Sequence, residues 1–142
     1  MRIIRLIALT LLVFSSTAFA AEVRGILVIA ANQKGESDAR LSGYEPTLRR
    51  LLRFESYRVA GEGSASLNAP GKASLSLGRG HALKLEAEKS DGKEVRLRVQ
   101  WQDGPRSLMN TGLSLQPGVP AVLGGPSTGK EGEVWAIIIV AN

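Results

Sequence analysis

Glu133-Val-Trp-Ala-Ile-Ile-Ile-Val-Ala-Asn142 is an almost unbroken apolar run, rich in β-branched residues and preceded by Gly132. Such a run reads as a strand buried on both faces, because a half-exposed strand would alternate. It is too short for a membrane-spanning helix, which needs about 20 apolar residues. The nearest counterpart in the chain is Gly25-Ile-Leu-Val-Ile-Ala-Ala31. Both strands are expected near the middle of one sheet, with everything between them arranged to cover it.

Between these runs the hydrophobic period changes. Glu45-Pro-Thr-Leu-Arg-Arg-Leu-Leu-Arg-Phe54 is the one convincing helix, with Pro46 in its first turn and Glu45 at the positive end of its dipole. Leu48, Leu51 and Leu52 fall at i, i+3 and i+4, which predicts one apolar face and arginines turned outward. From Ser56 the period is two. Tyr57 and Val59 lead into Gly61-Glu-Gly63; Ala73, Leu75 and Leu77 alternate with serines; Leu83, Leu85 and Ala87 alternate with Lys84 and Glu86. Val95, Leu97, Val99 and Trp101 alternate with Arg96, Arg98 and Gln100, the pattern of an antiparallel strand with one wet face. Ser90-Asp-Gly-Lys93, Asp103-Gly-Pro105 and Gln116-Pro-Gly118 are turn signals. The expected fold is mainly β: an antiparallel β-sandwich of about eight strands with one short amphipathic helix across an end.

The first 20 residues read as an export signal. Arg2 and Arg5 precede the apolar run Leu6 to Phe14, and Ala18-Phe19-Ala20 supplies a small-x-small cleavage pattern. Cleavage before Ala21 takes 142 residues to 122, one domain's worth, so a single β-sandwich domain is expected over 21–142. The chain has no cysteine, which excludes a lipid-modified anchor and leaves the core to hold the fold alone. An exported location, periplasmic or secreted, follows, with no transmembrane segment after cleavage. The formal charge of +5, less Arg2 and Arg5, is +3. That is mild, and no basic stripe with aromatic platforms argues for nucleic acid. An anionic envelope surface remains compatible with it.

No catalytic constellation emerges. Gly124-Gly-Pro-Ser-Thr-Gly-Lys130 fits seven positions of a phosphate-binding loop, but Glu131 stands where a hydroxyl is needed and a buried strand follows where a helix belongs. It reads as a turn. His81, the one histidine, lies in Gly78-Arg-Gly-His81, which looks like a hairpin tip, and one imidazole without cysteine gives no transition-metal site. Ser64, Ser66, Ser74 and Ser76 read as strand surface. Glu62, Glu86, Glu88 and Glu94 interleave with lysines and arginines, so cross-strand ion pairs explain them better than a glycosidase dyad. Asp38 and Asp91 lack calcium-loop spacing. No cofactor is implied.

Two features stand out as binding candidates. Arg49, Arg50, Arg53 and Arg58 place four guanidinium groups on or beside the helix, suited to planar contact with carboxylate or phosphate. Tyr44, Tyr57, Trp101 and Trp135 form an aromatic set whose spacing makes the tryptophans core residues.

Gln116-Pro-Gly-Val-Pro-Ala-Val-Leu-Gly-Gly125 resembles the Gly-Gln-Thr-Val-Val-Leu-Gly-Gly signature of bacterial secretins, the outer-membrane secretion pores. It covers ten residues, with Pro120 where that signature has a hydroxyl. The resemblance implies an envelope-assembly role; in physical terms the phrase encodes a turn, a short apolar strand and a Gly-Gly exit.

The expectation is an exported, non-enzymatic binding or accessory module of the bacterial envelope, engaging a protein partner by a sheet edge or the arginine-bearing helix. A second expectation is a subunit of a self-assembling surface or secretion structure, in which apolar ends complete a neighbour's sheet. A third is a hydrolase of envelope polymer, with Glu62 or Glu88 as acid and His81 as its partner.

Overall fold

The computed structural model describes residues 19–88, 90 and 94–142. The export segment expected at 1–20 lies outside these up to residue 18, as does most of the expected Ser90–Lys93 turn. Among the described residues are eight strands: β1 (Phe19–Ala31), β2 (Ser56–Ala69), β3 (Gly71–Gly78), β4 (His81–Ala87), β5 (Val95–Asp103), β6 (Arg106–Leu115), β7 (Ala121–Ser127) and β8 (Glu133–Ala141). One helix, α1 (Glu45–Leu52), and a single 3-10 turn (Ala39–Leu41) lie between β1 and β2.

The strands form two four-stranded antiparallel sheets, in the orders β2-β1-β8-β7 and β3-β4-β5-β6. The two apolar runs are therefore the central pair of the first sheet, with Ile26 opposite Ile138 and Leu27 opposite Ile137. Alternate residues serve two cores. Leu27, Ile137 and Ile139 face the second sheet and pack with Leu75, Leu83, Leu97, Val99 and Trp101. Ile26, Val28, Ala136 and Ile138 face the other way, where Leu41, Leu48 and Tyr57 cover them. The central pair is thus buried on both faces, over Ile26 to Ala30 and Ala136 to Val140, as the unbroken apolar pattern requires.

The helix thus lies on the outer face of the first sheet, not across an end of the sandwich. Its apolar stripe is also narrower than expected. Leu48 is fully buried and Leu52 half-buried, whereas Leu51 is 55% exposed. At 100° per residue Leu51 is turned one full step away from Leu52, and the eight-residue helix ends before another turn could widen the contact. Arg53 stops it in the left-handed conformation, its N–H donating to the Arg49 carbonyl.

Tyr57 ties this cover to the sheet. Its hydroxyl donates to the Leu48 carbonyl at 3.2 Å and accepts from the Phe54 N–H at 3.0 Å. The ring itself is buried beneath α1.

The two sheets meet most closely where β2 lies against β3. A Cβ at Gly61 would collide with the Leu77 carbonyl oxygen, and one at Gly63 with that of Ser76, so β2 can lie against β3 because glycine stands at both positions. On the opposite side β6 and β7 are the free edges.

Tyr57→Phe removes one buried acceptor–donor group and strands two backbone partners. The expected loss is about 1–2 kcal/mol in urea unfolding, with the strand circular dichroism unchanged.

Candidate functional site

The arginine quartet does not form one surface. Arg49 is engaged: its guanidinium donates to Glu45 at 2.7 Å and to the Glu55 carbonyl at 2.9 Å, and it lies over the Tyr57 ring, 5.6 Å from the centroid. The hydrogen bond from Arg49 holds the Glu45 carboxyl below its ordinary pKa. Arg58 belongs to β2, on the side opposite Tyr57 and Val59, which pack beneath the helix, and pairs with Glu133 at 3.4 Å. Arg50 and Arg53 are exposed on either side of Leu51 and make no ion pair within 4 Å among the described residues.

His81 is not a hairpin-tip residue. The tip is Arg79-Gly80, both with positive φ, the two-residue turn that matches strand twist. His81 follows as the first residue of β4, 2% exposed. Its Nδ1 accepts from the Trp101 indole N–H at 2.9 Å, so the neutral ring carries its proton on Nε2, 4.0 Å from an Asp103 carboxylate oxygen. The ring tilts against Trp135, 4.5 Å between centroids. Burial pushes the His81 pKa down; Asp103 opposes the shift and Arg106 adds to it.

The hydrolase pairing is not assembled. His81 opens β4 and Glu88 follows its last residue, roughly 23 Å away at the strand rise, one turned inward and the other exposed. Glu62 lies on the first sheet, paired with Arg24 at 2.6 Å. That is a cross-strand ion pair of the expected kind, and the Arg24 hydrogen bond lowers the Glu62 pKa. Glu86 and Glu88, by contrast, make no ion pair within 4 Å among the described residues, although Glu86 stands directly across from Lys72 and Arg98.

Gly124-Gly125 ends the regular part of β7 rather than forming a turn; Thr128 to Gly132 makes the turn. Gly124 meets Leu52 of the helix, while a Cβ on Gly125 would strike the Trp101 ring. The Gly-Gly exit is thus where this strand is squeezed between the helix and the second sheet. Among the described residues, no group of three or more His, Asp or Glu side chains is placed to hold a metal ion, and no helix is long and apolar enough to cross a membrane.

The second sheet has no helix over its outward face. That face exposes Lys72, Ser74, Lys84, Glu86, Arg96, Arg98 and Asn110, whereas the helix covers the first sheet's outer face around Ile26, Val28, Ala136 and Ile138. The second sheet ends at β6. From Met109 to Leu115 this edge strand is Met-Asn-Thr-Gly-Leu-Ser-Leu, without charge or proline; its bulge, at Leu108, lies before that run. Sheet edges left so bare accept further strands. The other edge, β7, is interrupted by an irregularity between Gly124 and Ser127 and by Pro126. Sequence reasoning named a sheet edge without saying which; strand order is what identifies β6.

No protein-family model matches the chain, and no curated protein matches it. Among solved structures the chain is similar to the T2SS secretin XcpQ from Pseudomonas aeruginosa, at 11% identity over 88% of this chain, with a TM-score of 0.36. The chain spans 57% of the length of that protein.

Two measurements check the site geometry. The lowered His81 pKa means the unfolded state binds more protons between that pKa and about 6.5, so stability is complete above about pH 6.5 and falls as pH drops. Urea midpoints should therefore be lower at about pH 5 than at about pH 7.5, and His81→Gln should flatten the difference. Asp38 does not confuse this window: the Arg40 hydrogen bond holds its carboxyl at about 2, so its contribution is lost only below 3.8. Separately, Arg49→Ala should lower the melting temperature, whereas Arg50→Ala leaves it unchanged.

Proposed function

We propose that the chain is an exported, non-enzymatic binding module of the bacterial cell envelope that takes up an extended strand from a protein partner along β6. The observation that carries this reading is the uncharged, proline-free run Met109–Leu115 on an open sheet edge. Main-chain N–H and C=O groups on such an edge supply affinity, and alternate side chains supply selection. Met109, Leu113 and Leu115 stand opposite Trp101, Leu97 and Val95, so apolar residues of an added strand would extend the core between the sheets.

Export rests on Arg2, Arg5, the apolar run from Leu6 and the Ala18-Phe19-Ala20 pattern. The structure adds that β1 includes Phe19 and Ala20, opposite Ala69 and Asn68, so cleavage before Ala21 would shorten β1 by two residues and leave its pairing from Ala21 onward. A non-enzymatic role is supported by His81 being buried in the core while Glu62 and Glu88 are exposed. The helix is the weaker binding surface, since Arg49 and Arg58 are already occupied.

A photo-crosslinking residue placed at Asn110, Ser114 or Arg50 in intact cells tests this. Asn110 and Ser114 should give a discrete adduct with a second protein, Arg50 should give none, and Thr111→Lys should abolish the adducts. Thr111 faces the sandwich interior opposite Val99, so a lysine there guards the edge without adding a new contact surface. Adducts from Arg50 alone would move the site to the helix. A ladder of self-adducts would replace the binding module with a self-assembling subunit.

A further inference from the structure

We infer that the strand received by β6 presents a carboxylate to Arg98 across Gly112, with Arg96 beside it; this rests on the strand-accepting reading above. A shallow concavity of about 480 Å³ lies over the β5–β6 margin, lined by Glu88, Arg96, Arg98, Gly112, Leu113 and Ser114. Arg98 stands directly opposite Gly112, and Arg96 opposite Ser114. Both arginines are exposed, and neither makes an ion pair within 4 Å among the described residues.

Gly112 is what links these arginines to the edge. A side chain there would stand between Arg98 and whatever lies beyond β6. The nearest atom to a Cβ built on Gly112 is the Leu97 carbonyl oxygen at 3.7 Å, so packing within the chain does not require glycine at this position. An added strand lies two strand spacings from β5, about 9.5 Å, a gap that an arginine and a glutamate extended toward each other close over a residue without a side chain. Arginine suits that role because its planar fork holds a carboxylate through two hydrogen bonds.

Charge favours the same occupant. Glu86 and Glu88 flank the arginines on the β4 side, so the uncompensated side of the guanidinium groups is toward β6. An incoming lysine at the position beyond Gly112 would meet like charge; an incoming glutamate would not.

The test uses the full mature chain and two synthetic strands that alternate valine and threonine. They differ only at the central outward residue, glutamate in one and lysine in the other. The glutamate strand should bind about five-fold more tightly at low salt, with the gap narrowing as salt is raised. Arg98→Gln should shrink that preference, and Gly112→Val should remove it while leaving the folded circular dichroism spectrum in place. Equal binding of both strands, each abolished by Thr111→Lys, would overturn the carboxylate preference and leave strand addition standing. Binding of neither strand, or binding indifferent to Thr111→Lys, would overturn strand addition and the preference with it.

Discussion

The fold depends on one constraint: the central pair β1 and β8 is apolar on both faces, so its sheet must be covered twice. Ile137 and Ile139 require the second sheet, and Ala136 and Ile138 require the helix layer. Burying an isoleucine side chain contributes about 1.5–3 kcal/mol, so leaving either face wet would forfeit several such terms. The segment between β1 and β2 answers the second demand. It supplies Leu41 and Leu48, which with Tyr57 of β2 form the cover. The Tyr57 hydroxyl then anchors the end of the helix, where backbone groups would otherwise lose their partners.

The helix layer covers one part of the first sheet's outer face and leaves Arg24, Glu62 and Ser64 exposed beyond it. The second sheet is apolar on one face only, and its strict alternation leaves a polar outer surface with several cations. The side where β2 meets β3 is closed by the approach at Gly61 and Gly63. The side formed by β6 and β7 stays open, and of those two edges β7 carries its own interruptions. Pro126 and the squeezed Gly124-Gly125 pair limit its regular pairing to Ala121–Gly124. The function proposed for β6 follows from this unequal treatment of two edges in one molecule.

Much of this was legible in the sequence because it depends on periodicity. A short unbroken run rich in Ile and Val, bounded by Gly132, reads as a doubly buried strand, and the alternation from Val95 to Trp101 reads as a half-exposed one, so the sandwich and its central strands could be read directly. The helix was legible too, but its location was not: Leu48 and Leu52 announce an apolar stripe without saying which surface receives it. Leu51 misled because i+3 spacing alone does not say where the stripe is centred. His81 misled for a different reason. Gly78-Arg-Gly-His contains both the turn and the first strand residue, and the burial of an imidazole depends on Trp101, 20 residues away. The alternation that buries Tyr57 turns Arg58 away from the helix, so a cluster counted along the chain separated in space.

The candidate site was the least legible part, and the reason is topological. Met-Asn-Thr-Gly-Leu-Ser-Leu is an unremarkable stretch as a sequence, and in the middle of a sheet its lack of charge would mean nothing. It acquires meaning only from the strand order, which puts β6 outermost. Natural edges carry lysine, proline or a bulge to discourage further pairing. β7 has such devices, while β6 has its bulge at one end and Gly112 in its middle. A glycine weakens an edge strand by removing a side chain that would pack, so its presence calls for a local reason. No neighbouring backbone presses on Gly112 as it does on Gly61 and Gly63. What its missing side chain changes is access from Arg98 to the open edge, which makes the absence of a Cβ part of the surface that β6 offers.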